Sequence, residues 1–159
     1  MPRLKQDRFF SEKPLRLRSP RESLGGYILL PRLMDKVRLL AKGQLPPSYV
    51  QNVLGDKTTL DGRFLLFTDL EPAALRGVIL STHSDEEVLA WIQDHARPVS
   101  VSEKQTWAEQ IQCDRPDPAR VEYRKRMYPH LAGRIDLSLV SVLDLIDIDE
   151  GRLRVLPEP

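Results

Sequence analysis

Residues 30–43, LPRLMDKVRLLAKG, decide the fold class. Leu30, Leu33, Met34, Val37 and Leu40 recur at the spacing of one helical face, Pro31 sits where a first-turn proline loses no hydrogen bond, and Gly43 supplies a stop. The pattern predicts a helix over Pro31–Lys42 with one face in a core. Just upstream, Gly25-Gly26 breaks the chain after Ser19-Pro20-Arg21-Glu22. That tetrapeptide has the form of a capping box and predicts a short helix beginning there.

Downstream the same punctuation repeats. Pro46-Pro47 forces a turn, and residues 48–54 read as a short helix buried through Tyr49, Val50, Val53 and Leu54. Residues 60–67, LDGRFLLF, suit a buried strand or a buried helix, and helical neighbours favour the helix. Glu71-Pro72 opens another, with Leu70 and Leu75 paired as a hydrophobic staple. Ser84-Asp85-Glu86-Glu87 is a second capping box, followed by a stripe of Val88, Trp91, Ile92 and His95. Ser102 with Gln105 marks a start carrying Trp107 and Ile111 to the core. Asp117-Pro118 caps a charged, mostly exposed helix up to Tyr128, and residues 138–147 read as a last one. The expected fold is all-α: a single-domain irregular bundle of six to eight short helices over residues 19–151, with a basic arm at 1–18 and a tail at 152–159.

Composition narrows the function classes. The chain has 159 residues, 41% hydrophobic and 30% charged, and a net charge of +1, so it has core material and no global field toward polyanions. One cysteine, Cys113, excludes an internal disulfide and a thiolate metal cluster. No apolar run approaches the roughly 18 residues of a membrane span. Together with an N-terminus that lacks a signal-type apolar core, this predicts a soluble cytoplasmic protein.

No catalytic signature appears, and neither a cofactor nor a metal is implied. Gly25-Gly26 lacks the spacing of a phosphate loop or a dinucleotide fingerprint. Residues 147–151 lack the third acid and distal glutamate of a calcium loop. His83, His95 and His130 stand too far apart for a local metal motif. His95 reads as a core or dipole-stabilising residue, the tryptophans as core, and Cys113 has no visible base.

The charged candidates lie around the first helix. Asp35 has Arg32 and Arg38 three residues to either side, an arrangement that suits an exposed ion-pair array or a polar ligand site. Arg63 joins this cluster if its segment packs there, and Asp61 suits a helix cap. A ligand site, if present, comprises Gly25, Gly26, Tyr27, Arg32, Asp35, Lys36, Asp61 and Arg63, with the arginines holding an anionic group.

The blocks LRSPRESLGGYILLPRLMDKVR, DGRFLLFTDL, SDEEVLAWI and VLDLIDIDEG, in this order over residues 15–151, resemble those of an uncharacterised bacterial family, a domain of unknown function. The resemblance implies a small, mainly helical protein and carries over no activity or site residue. The sequence therefore favours a non-catalytic binding or protein-interaction module, whose partner is an anionic small molecule or a protein, with a homodimer compatible.

Two alternatives differ in class. An enzyme acting on a small anionic substrate would use Asp35 or Asp61 as general base. A nucleic-acid binder would use the arm, with six cations against two acids, and residues 120–134, with five cations against one acid. The five acids of residues 136–150 suit that second basic stretch as partners within the molecule or across a dimer, which disfavours nucleic acid.

Overall fold

The computed structural model describes residues 17–154. The arm at 1–18 therefore lies outside the described residues up to position 16, and the tail at 152–159 from position 155 on. The fold is mostly helical, with nine helices and one two-stranded hairpin among the described residues. The hairpin is β1 (Ser23–Leu24) and β2 (Tyr27–Ile28), and the helices are α1 (Leu30–Ala41), α2 (Pro47–Val50), α3 (Leu60–Thr68), α4 (Pro72–Ser81), α5 (Asp85–His95), α6 (Val101–Cys113), α7 (Pro118–Met127), α8 (Pro129–Ala132) and α9 (Val142–Asp149). Contacts gather them into two compact units. Unit 1 holds residues 17–18 and Pro31–Arg97; unit 2 holds Ser19–Leu30 and the chain from Pro98 onward.

In unit 1, α1 follows its sequence pattern closely. Leu33 and Met34 are fully buried, and Val37 nearly so. The helix ends in a Schellman motif: Gly43 takes φ +67, its N–H donates to Leu40 O, and the Gln44 N–H donates to Leu39 O. Residues 60–68 are helix, capped by Thr59, whose hydroxyl accepts from the Gly62 N–H. Gly62 has no room for a side chain, because a Cβ there would stand 1.6 Å from Asp56 O. The α4 cap is Glu71, and Leu75 and Ile79 are buried behind it. The Ser84–Glu87 capping box opens α5, with Val88 and Ile92 fully buried.

Three sequence expectations fail in unit 1. Val50 is 41% exposed, because the helix of this region stops at Val50 and the burial passes to Val53 and Leu54. His95 leaves the buried stripe, though it keeps the dipole-stabilising place in the last turn of α5: it is exposed, stacked on half-buried Trp91 at 4.3 Å with Nδ1 against Trp91 O. Asp61 does not cap α3; Thr59 does, which leaves Asp61 buried within the first turn.

In unit 2 the expected helix from Ser19 is absent. Gly25 and Gly26 adopt φ +58 and +81, the left-handed pair that closes a two-residue hairpin, and Ser23 and Leu24 pair with Ile28 and Tyr27. The helix at 101–113 starts at a capping box of Ser100 with Glu103, two residues before the expected Ser102. It packs against β2 and α9 and buries Ile111. Asp117 caps α7 as expected. The last helix begins after Ser141 and ends in a second Schellman motif at Gly151, φ +81. Leu131, Leu137 and Leu145 form a core here, with Tyr128, Ile135 and Ile148 packed on it.

Candidate functional site

The charged residues of α1 are all drawn into unit 1. Asp35 is not held between Arg32 and Arg38. Its partner is Arg18, 17 residues upstream, whose Nε and backbone N–H donate to Oδ2 at 3.1 and 2.9 Å while Nη2 donates to Oδ1 at 3.0 Å. Arg18 Nη1 also donates to Asp85 Oδ2, and Arg38 Nη1 to Asp85 Oδ1, each at 2.7 Å. Two acids and two guanidinium groups thus alternate along one chain, Asp35–Arg18–Asp85–Arg38. The hydrogen bond to Asp35 raises the Arg18 pKa, with burial opposing it. Burial pushes the Asp85 carboxyl up, but the bonds from Arg18 and Arg38 outweigh it and hold the group below its ordinary value.

Arg32 is 4% exposed; Nη1 donates to Arg18 O, and its guanidinium lies 5.9 Å from the Tyr49 ring centre. Lys36 and Asp61 form a buried ion pair at 2.6 Å, with side chains 6% and 2% exposed. The second Asp61 oxygen accepts the Leu54 N–H at 3.0 Å. Leu54 is in the left-handed region, φ 48, so this bond braces a backbone turn that a leucine otherwise resists. Arg63 is half-buried on α3. A base must reach a substrate proton, and the oxygens of Asp35 and Asp61 are instead committed to internal donors.

Gly25, Gly26 and Tyr27 belong to unit 2. Lys104 Nζ donates to Gly25 O at 2.8 Å and lies 4.2 Å from the centre of the buried Tyr27 ring, and the Lys104 side chain passes close over Gly26. The turn therefore binds an internal cation through its carbonyl.

The acids of residues 136–150 do not neutralise the basic stretch in the way its composition suggests. Asp144 and Asp147 receive Arg21, Asp147 also receives Ser19 Oγ and Arg152, and Glu150 receives Arg152. Asp149 meets His130, and Asp136 accepts from Ser138, which holds its carboxyl below the ordinary range. Arg124 is buried, and its Nη1 donates to Leu137 O and Val140 O at 2.8 and 2.7 Å. Burial pushes its pKa down. Lys125 pairs with Glu122 across one exposed turn.

Arg126, Arg134 and Arg154 remain exposed without a partner among the described residues. Two of them, Arg134 and Arg154, line a cleft of about 340 Å³ together with Leu131, Ile148 and Leu153. Sequence reading had no signal for this cleft, because it joins α8 to a segment that follows α9 and shows no periodicity. It also missed Arg18 and Asp85, which sit in a basic arm and a capping box.

Among the described residues no group of three or more metal-ligating side chains is present, and no helix is long and apolar enough to cross a membrane. The profile of a family described as a domain of unknown function (DUF5069) matches residues 15–152. No curated protein matches the chain.

Proposed function

We propose, for a chain that belongs to the DUF5069 family, that it is a small cytoplasmic binding module without catalytic activity, which meets its partner through the exposed arginines of unit 2. The carrying observation is the division of its charges. In the buried Lys36–Asp61 pair and the Asp35–Arg18–Asp85–Arg38 chain every carboxylate is matched by a cation of unit 1. Among the described residues no buried side-chain nitrogen or oxygen lacks a partner. A site that acts on ligands keeps some donors or acceptors open for them, and in unit 2 the open cations are Arg126, Arg134 and Arg154, as Lys42, Lys57 and Arg76 are in unit 1. The lone cysteine, exposed Cys113, fits a reducing cytosol.

The test is a thermal-shift screen against metabolite carboxylates, phosphates and a short oligonucleotide, followed by NMR mapping. A binder raises the melting temperature by mass action. Its amide shifts are expected within residues 126–154, and the ligand is expected to be recovered chemically unchanged. Turnover of a panel compound that Asp61→Asn abolishes would overturn the non-catalytic reading. Oligonucleotide binding that falls steeply with salt, with no small anion bound, would move the function to nucleic acid.

A further inference from the structure

Resting on that reading, we infer that the cleft of unit 2 binds a small amphipathic carboxylate, an apolar body ending in one carboxylate group. Three of the five residues that line it are apolar: Leu131 is 4% exposed and packed in the unit 2 core, Ile148 packs against the same core, and Leu153 is 42% exposed. Arg134 and Arg154 line the same cleft. Of the acids nearest in sequence, Asp149 is bonded to His130, Glu150 to Arg152, Asp147 to Ser19, Arg21 and Arg152, and Asp136 to the hydroxyl and N–H of Ser138. Neither guanidinium group pairs with an acid among the described residues, which leaves their donors to the cleft.

The volume, about 340 Å³, falls at the lower end of small-molecule sites. A guanidinium presents two parallel N–H groups to the two oxygens of a carboxylate, which places the head group at the arginines and the body along the leucines and isoleucine. The described cleft contributes no helix N-terminus, the usual cradle of a phosphate. A charged head without an apolar body would leave these apolar side chains wet, and an apolar body without a charge would leave the arginines unmatched. The pairing of the two is what selects the class.

The probes are decanoate, decanol and acetate, titrated into the full chain and followed by isotope-edited NMR. Decanoate is expected to shift signals of Leu131, Ile148 and Leu153 and to bind at least about tenfold more tightly than either decanol or acetate, the equivalent of one charge-assisted hydrogen bond. The double variant Arg134→Gln/Arg154→Gln changes only exposed side chains. It is expected to keep the wild-type spectrum elsewhere and to lose that preference for decanoate over decanol. Equal binding of decanoate and decanol, undiminished decanoate binding by the double variant, or no decanoate binding would each overturn the assignment. If decanoate fails while another anion maps to residues 126–154, the ligand class falls and the module reading stands. If no panel compound binds unit 2, both fall.

Discussion

Asp61 has one oxygen on Lys36 Nζ and the other on the Leu54 N–H, both in a nearly water-free setting. Breaking a buried pair from one side strands a charge and costs more than the pair contributes. Lys36→Met is therefore expected to destabilise the chain by about 3–5 kcal/mol. Lys36→Met combined with Asp61→Leu is expected to recover much of that loss in urea denaturation, offset by the orphaned Leu54 N–H. Asp85 gives a second residue-level expectation. Its folded carboxyl lies below the ordinary value of 3.8, so the stability it contributes is present above that pH and is lost as acid protonates the folded group. Urea midpoints at pH 6 and pH 3 should fall less for Asp85→Asn than for wild type. Sequence reading put acids and bases on the right elements but paired them wrongly. Spacing on a helix reports neighbours three or four positions away, whereas Arg18–Asp85 and Lys36–Asp61 span 67 and 25 positions.

At the scale of elements, apolar stripes and caps were legible where the chain is locally consistent. The helices α1, α3, α4, α5 and α7 stand close to where their punctuation placed them. The failures came from competing local signals. Ser100 and Ser102 both carry an acid or amide three residues on. Glu103 brings a full negative charge to the helix start and completes the box at Ser100. Ser100→Ala is expected to cost about 1 kcal/mol and Ser102→Ala only a small fraction of that, in matched thermal melts. The tetrapeptide at Ser19 had the form of a cap, but two adjacent glycines favour a hairpin, and the Ser19 hydroxyl turns to Asp147. Glycines provide the sharpest contrast. Gly77 lies inside α4 with open space around it, so Gly77→Ala should stabilise by about 0.5–1 kcal/mol. Gly62→Ala meets the Asp56 carbonyl and should unfold the α3 start, seen as a cooperative loss of α3 amide protection.

On the scale of the whole molecule, the helical class was readable from periodicity, and the family profile spans residues 15–152. The candidate site was less legible. Its eight residues divide between the two units, and its charges turn inward. The cleft, by contrast, draws on Arg154, in a segment with no pattern to read. Unit 2 also has a biosynthetic consequence. Ser19 and Arg21 bond to Asp147, 128 and 126 positions later, while unit 1 is almost continuous in the chain. At ribosomal speeds the early segment waits on the order of ten seconds for that carboxylate to be made. Protection of nascent chains stalled at successive lengths should therefore appear first in α1 to α5, and at the β1–β2 hairpin only after α9 has left the ribosome. During that interval the segment from Ser19 to Ile28 is exposed to chaperones and proteases.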